Sequence, residues 1–139
     1  MMDAVFAVKC LSRGTVLFHG VRLGAPVTGA EDARTSPMWF TTNREVARIY
    51  GGGLDERVDT FSTRRRSRLA YFASPREAVL HISGLNYDGG RLANTVCGQG
   101  YDGYWVDGVQ HFGGRYSRYL APDVLICTPN RIVRRSKAR

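Results

Sequence analysis

The chain has 139 residues, of which 43% are hydrophobic, enough for one domain with its own core. Its formal net charge is +8 at pH 7, and 18 of its 20 basic residues are arginines, which bind phosphate through two parallel hydrogen bonds. No apolar run is long enough to cross a membrane, and the N-terminus lacks the pattern of a signal peptide. We therefore expect one domain at residues 1–133, a basic tail at 134–139, and an intracellular protein, cytoplasmic or nuclear, without a membrane partner.

Three cysteines lie far apart in the chain, at Cys10, Cys97 and Cys127. Their odd number and wide spacing match neither a disulfide framework nor a paired metal motif. We expect all three to be buried, unpaired and apolar in character, as is usual in a reducing compartment.

The first part of the chain predicts strands joined by turns and loops. Residues 5–8 and 15–21 are apolar and rich in β-branched side chains, so we expect two strands, the second of which ends in His-Gly. Residues 22–36 contain two glycines and a proline, with a second proline directly after them, and this segment is too long for a tight connection. Loops of this length are often binding loops.

Residues 38–50 predict a strand that turns directly into a short helix. Large apolar residues come first, and apolar residues at helical spacing follow. The helix has three candidate N-caps, which are Thr41, Thr42 and Asn43. Trp39 ends the strand and Tyr50 ends the helix, and three glycines then stop it. We expect these two rings to face one pocket.

The second part of the chain is also rich in strands. We expect a mobile glycine-rich loop at 51–60 and a basic run at 64–68 that leads into a strand at 69–72. One or two helical turns at 92–97, a short strand at 104–106 and a further loop at 109–119 follow. The last strand, at 123–127, is buried and is led by Asp123. Because turns and short helices separate the strands, we predict an α+β fold with a split, mostly antiparallel sheet and short helices.

Several types of active site are not supported by the sequence. It has no Gly-x-x-x-x-Gly-Lys phosphate loop and no dinucleotide motif after a strand. The histidines, His19, His81 and His111, are not spaced as metal ligands, so we expect no metal. A histidine at a strand end, two aromatic rings and an acidic residue remain. Together they can break a glycosidic bond to a good leaving group such as nicotinamide, since rings stack on a flat heterocycle.

Three segments at residues 17–21, 39–50 and 123–132 resemble, in this order, the three motifs of the ADP-ribosyltransferase superfamily. The most similar branch is the His-Tyr-Glu branch, which includes poly(ADP-ribose) polymerases and diphtheria-like toxins. The Gly-Tyr-Asp-Gly segment at residues 100–103 resembles one that precedes the last strand in small members. This resemblance implies an ADP-ribosyltransferase-like fold. It also implies that NAD is the substrate and that ADP-ribose is transferred to an acceptor, protein or nucleic acid, which the sequence does not identify.

The resemblance assigns roles by position. His19 and Gly20 stand where the family holds nicotinamide and ribose, and Tyr50 stands where it stacks a tyrosine on nicotinamide. Trp39 replaces the strand tyrosine of the family, and Asp123 replaces its catalytic glutamate, which is one methylene longer. The implied catalytic residues are His19, Trp39 and Asp123. The implied NAD-binding residues are His19, Gly20, Trp39, Phe40, Thr41 and Tyr50, although Phe40 is also expected in the core.

Other interpretations remain open. The chain can be an NAD- or ADP-ribose-binding module with weak or no turnover, because Asp123 is shorter than glutamate. It can also be a basic nucleic-acid-binding protein that uses the arginine run and the tail. Gln99 is a second candidate for the third polar residue of the site. Each predicted site residue also has a purely structural alternative, as a core or strand-end residue.

Overall fold

A computed structural model gives the structure of residues 5–22 and 35–136. These residues form eight strands and four short α-helices. The strands are β1 (Ala7–Leu11), β2 (Val16–Gly20), β3 (Met38–Phe40), β4 (Val58–Thr63), β5 (Ser67–Phe72), β6 (Gly103–Gln110), β7 (Leu120–Ile126) and β8 (Val133–Arg135). The helices are α1 (Arg44–Tyr50), α2 (Pro75–Val79), α3 (Gly89–Cys97) and α4 (Pro129–Ile132). None of these helices is long and apolar enough to cross a membrane.

The strands form two sheets, which confirms the predicted α+β class with a split sheet. The larger sheet has the order β1-β5-β6-β7-β3, and the smaller one has the order β2-β4-β8. All strand pairs in the described residues are antiparallel except β5 with β6. One bridge joins the two sheets, because Thr41, directly after β3, exchanges two backbone hydrogen bonds with Phe18 on β2.

The core has two parts. One lies between the two sheets and includes Leu17, Phe40 and Phe61, whose side chains are almost fully buried. The other lies between the larger sheet and the helices α2 and α3, and it includes Leu92 and Tyr104. Both faces of the larger sheet are therefore covered, which explains why its central strands are apolar on both faces.

The structure differs from the sequence prediction at three segments. The predicted mobile loop at 51–60 contains the start of β4, the central strand of the smaller sheet. The sequence of β4 does not show the apolar pattern of a buried strand, because two of its buried residues, Asp59 and Thr63, are polar. β6 extends to Gln110 across a bulge, into the predicted loop. β8 takes in residues 134 and 135 of the predicted tail. Most of the predicted binding loop, at 23–34, lies outside the described residues.

The cysteine prediction is wrong. Cys97 and Cys127 form a disulfide, and Cys10 is exposed. The pair is separated by 30 residues in the chain, but the last residue of α3 lies next to the residue that follows β7, with the two Cα atoms 5.7 Å apart. The spacing of the cysteines in the sequence does not predict this contact, because the two residues are brought together by the packing of α3 against the sheet.

Candidate functional site

A cavity of about 520 Å³ lies at one end of the strands, where β2, β3, α1 and β7 meet. This volume is typical of small-molecule sites. The cavity is lined by residues from five segments of the chain, and these include all seven that the sequence predicted for the site. They are His19, Gly20, Trp39, Phe40, Thr41, Tyr50 and Asp123. Gln99, the alternative polar residue, does not line it.

Gly20 lets α1 pack directly on the backbone of β2. A Cβ atom at Gly20 would lie 2.1 Å from the Ala47 carbonyl oxygen and 2.7 Å from Tyr50 Cβ. No other residue type fits at such a distance. A glycine is therefore required after His19 for steric reasons. It allows α1 to approach β2, and this places Tyr50, at the end of α1, at the cavity. Asn43 begins this helix by accepting hydrogen bonds from the backbone N–H groups of its first turn.

The imidazole of His19 is held by the strand next to it. Its Nδ1 lies 2.8 Å from the carbonyl oxygen of Trp39. Because a carbonyl oxygen can only accept, Nδ1 carries the proton, and in the neutral ring Nε2 is the acceptor nitrogen. The contact therefore fixes the orientation of the ring at the cavity wall.

Tyr50 also lines the cavity, and the residue is 46% exposed. Its ring packs against Phe112 at 4.7 Å and, edge to face, against His111 at 5.6 Å. Nε2 of His111 donates to the Ala121 carbonyl oxygen at 3.1 Å, so Nδ1 accepts from the Tyr50 hydroxyl at 2.8 Å. Burial and the nearby Asp123 carboxylate raise the pKa of Tyr50 to about 12, which keeps this hydroxyl protonated.

Asp123 lies inside the site. It is the fourth residue of β7, which begins at Leu120, so the prediction that it leads the strand is wrong. The residue is only 8% exposed, and its Oδ2 accepts hydrogen bonds from the hydroxyls of Tyr87 and Tyr104. Burial raises the pKa of the Asp123 carboxyl above its usual range, and the hydrogen bonds from the two tyrosines oppose this shift.

Trp39 connects to this carboxylate through Tyr104. The indole Nε1–H donates to the Tyr104 hydroxyl at 2.8 Å, and that hydroxyl donates to Asp123 at 3.0 Å. Burial and the Asp123 carboxylate raise the pKa of Tyr104, so it remains a donor. Trp39 thus has a polar role that its ring alone would not suggest, since it orients a donor to the buried acid.

Sequence reasoning missed several residues of the site and of its hydrogen-bond network, among them Tyr87, Gly89, Tyr104 and His111. Tyr104 lies on β6 two residues before Val106, which pairs with Asp123, so knowledge of the strand register would have found it. Gly89, at the start of α3, passes so close to the network that a Cβ atom would lie 2.8 Å from the Tyr104 hydroxyl. No local pattern marks Tyr87 or His111, because both reach the site through loops.

The site offers hydrogen-bonding and aromatic groups for an organic ligand. Among the described residues, no three His, Cys, Asp or Glu side chains are grouped as a metal site requires. The chain was compared with protein-family models, with curated proteins and with solved structures, and none of the three comparisons found a match.

Proposed function

We propose that this protein is an ADP-ribosyltransferase, which cleaves NAD between nicotinamide and ribose and transfers ADP-ribose to an acceptor. The observation that supports the proposal most strongly is the convergence on one cavity of seven residues, chosen by their resemblance to three separate family motifs. Their order in the chain was known from the sequence, but their distance from one another was not.

The proposed roles follow from the groups that face the cavity. The rings of Tyr50 and Trp39 hold nicotinamide, because a flat aromatic heterocycle stacks on an aromatic face. The His19 ring, held at the cavity wall through the Trp39 carbonyl oxygen, forms a hydrogen bond with the ribose. The Tyr50 ring is kept in place by His111 and Phe112, so little conformational entropy is lost when a ligand stacks on it.

The proposed reaction needs a carboxylate near the anomeric carbon. The bond between C1 of ribose and the nicotinamide nitrogen breaks, and its electron pair leaves with neutral nicotinamide. The ribose becomes an oxocarbenium ion, whose positive charge Asp123 stabilises. The acceptor then attacks C1 and releases a proton. The hydrogen bonds from Tyr87 and Tyr104 favour the ionised form of Asp123, which this step requires.

A binding module without turnover is the second candidate. One observation favours it, since the Asp123 carboxyl is almost fully buried and two tyrosines already occupy one of its oxygens. Asp123→Glu separates the two candidates, because it moves the carboxylate outward by one methylene. If the unaltered chain releases no nicotinamide and release begins in this variant, the natural chain is the binding module. If release decreases, the aspartate itself is the working acid.

Calorimetry with nicotinamide and NAD, together with measurement of nicotinamide release, tests the proposal. We expect both ligands to bind, and we expect His19→Ala to weaken binding by roughly tenfold through loss of one hydrogen bond and ring packing. His81→Ala serves as the matched control, since His81 does not line the cavity. Absence of binding to the unaltered protein, or equal effects of the two variants, would show that the cavity is not an NAD site.

The predicted cytoplasmic or nuclear location rested partly on unpaired cysteines, and the disulfide contradicts that premise. We expected a reducing compartment because the cysteines looked unpaired. Disulfides persist mainly in oxidising compartments. We therefore infer that the protein works where Cys97 and Cys127 stay oxidised, rather than in the cytoplasm or nucleus. Thiol labelling of the protein in its native compartment tests this, and the inference is wrong if all three cysteines react.

A further inference from the structure

We propose that the end of the molecule opposite the cavity is a docking surface for the phosphate backbone of a nucleic acid. This basic end consists of the turn at residues 12–15, the β4–β5 turn and first residues of β5 at 64–68, and residues 128–134 of α4 and β8. It is a separate site from the cavity, and it does not depend on the proposed transfer reaction.

The three segments contact one another through the backbone. The N–H of Gly14 donates to the Thr63 carbonyl at 2.9 Å, which places the first turn beside the second. The N–H of Arg64 donates to the Ile132 carbonyl at 2.7 Å, which places the second turn beside α4. Arginines far apart in the sequence therefore share one surface.

Charge is concentrated on this surface. It carries seven exposed arginines, and the Asp102 carboxylate lies 3.6 Å from one of them, Arg65. The rest of the described chain is close to neutral, with ten basic and eight acidic residues, several of them in ion pairs. The seven arginines are Arg13, Arg64, Arg65, Arg66, Arg68, Arg131 and Arg134. Most of the excess charge of the described residues thus lies at one end.

Three of these guanidinium groups are held by neutral partners. Arg64 Nε donates to the Val133 carbonyl at 2.8 Å, and Arg66 donates to the sulfur of Cys10 at 3.6 Å. Arg68 stacks on a tyrosine ring, Tyr101, at 5.8 Å. Such contacts restrict the side chains without neutralising their charge. Fewer conformations are then lost when a phosphate binds, which increases affinity.

The chemistry of the basic end favours nucleic acid over a membrane or an acidic protein. Arginine forms two parallel hydrogen bonds with phosphate. Membrane-surface helices and the centres of protein interfaces use exposed Trp, Phe or Leu side chains. Of the exposed large apolar residues in the described chain, only Val16 lies beside the basic end, where it pairs with Ser62 of β4.

The basic end and the cavity lie at opposite ends of β4. Val58 pairs with Gly20 at the cavity, and Thr63 precedes the arginine turn. Six strand residues span roughly 17–20 Å, so a phosphate held at one end cannot reach the other. Docking would therefore hold the protein on a nucleic acid and leave the cavity open.

Fluorescence anisotropy with a labelled 20-base-pair DNA duplex and a labelled 20-nucleotide RNA, each of mixed sequence, tests the proposal. We expect binding with a logarithmic salt slope of about −4 to −5 for the duplex, equivalent to about five phosphate contacts. The double variant Arg66→Glu/Arg134→Glu should weaken binding by roughly tenfold or more and reduce the slope by about 2.

The matched control is Arg44→Glu/Arg76→Glu, which makes the same change in net charge on α1 and α2. It should bind nearly as well as the unaltered protein, and His19→Ala should not change binding. The proposal is overturned if the control weakens binding as much as the test variant, or if neither nucleic acid binds at 50 mM salt. It is also overturned if phosphatidylserine vesicles or poly-glutamate bind more tightly than both nucleic acids.

Discussion

At the scale of the residue, the buried carboxylate of Asp123 couples the candidate site to the stability of the fold. Its pKa is raised because burial disfavours the charged form more than its hydrogen-bond donors favour it. The folded state therefore binds this proton more tightly than the unfolded chain does. Its contribution to the free energy of unfolding falls as the pH rises from the usual aspartate range through the raised pKa.

Asp123→Asn should consequently have opposite effects on stability and function. At pH 7 we expect a higher midpoint of thermal unfolding, because the amide carries no charge and still accepts from the two tyrosines. Nicotinamide release should fall by on the order of a hundredfold or more, as a preorganised charge opposite the oxocarbenium ion is lost. Calorimetric melts from pH 4 to 8 and release assays measure both effects.

Asp107→Asn provides the control, because Asp107 also accepts a hydrogen bond from a tyrosine, Tyr71, but does not line the cavity. It should leave nicotinamide release unchanged. A variant Asp123→Asn that is less stable at every pH would contradict the view that the ionised carboxylate strains the fold. Full nicotinamide release in that variant would remove Asp123 from the proposed mechanism.

At the scale of elements, the unit of β2 and α1 places two walls of the cavity. Gly20 allows the helix to lie on the strand, Asn43 caps the helix, and Tyr50 ends it. The sequence predicted the strand, the helix and its end at Tyr50 from residues close in the chain, but it did not predict the contact of α1 with Gly20. The sequence did not indicate which of the three candidate caps forms the bonds, since all three have suitable side-chain oxygens.

Gly20→Ala tests this unit. The added methyl group would meet the Ala47 carbonyl at 2.1 Å, so α1 has to move away, and we expect a loss of roughly 1–3 kcal/mol in the free energy of unfolding. Nicotinamide affinity should fall as well, because Tyr50 moves with the helix. Urea denaturation and calorimetry measure the two effects.

Gly113→Ala is the matched control for that experiment. Gly113 has an ordinary φ of −96°, and a Cβ atom there would meet nothing within 4 Å. The control should therefore differ little from the unaltered protein in either measurement. Equal stability of the two alanine variants would mean that the close approach of α1 to β2 does not matter for the fold.

At the scale of the whole molecule, the disulfide ties α3 to the end of β7. The first residues of α3, Gly89 and Gly90, line the cavity, and Asp123 lies on β7, so the disulfide joins two elements of the site. The double change Cys97→Ser/Cys127→Ser releases a loop of 30 residues, and we expect a loss of about 3–4 kcal/mol. Denaturation with and without dithiothreitol measures the same quantity.

Cys10→Ser should leave the stability unchanged, because Cys10 is exposed and takes no part in the disulfide. If dithiothreitol has no effect on the unaltered protein, the two cysteines are not bonded in solution. In that case the inference of an oxidising compartment also fails.

The sequence by itself determined the fold class, because strand and helix periodicity is a local property of the chain, and seven candidate site residues followed from its resemblance to three family motifs. Only the tertiary structure decided that these residues share a cavity, that two tyrosines bind Asp123, and that Cys97 meets Cys127. It also gathered seven arginines at the far end of the strands. The register of β6 against β7 and the packing of α3 bring these groups together, and such long-range contacts leave no pattern in a single sequence.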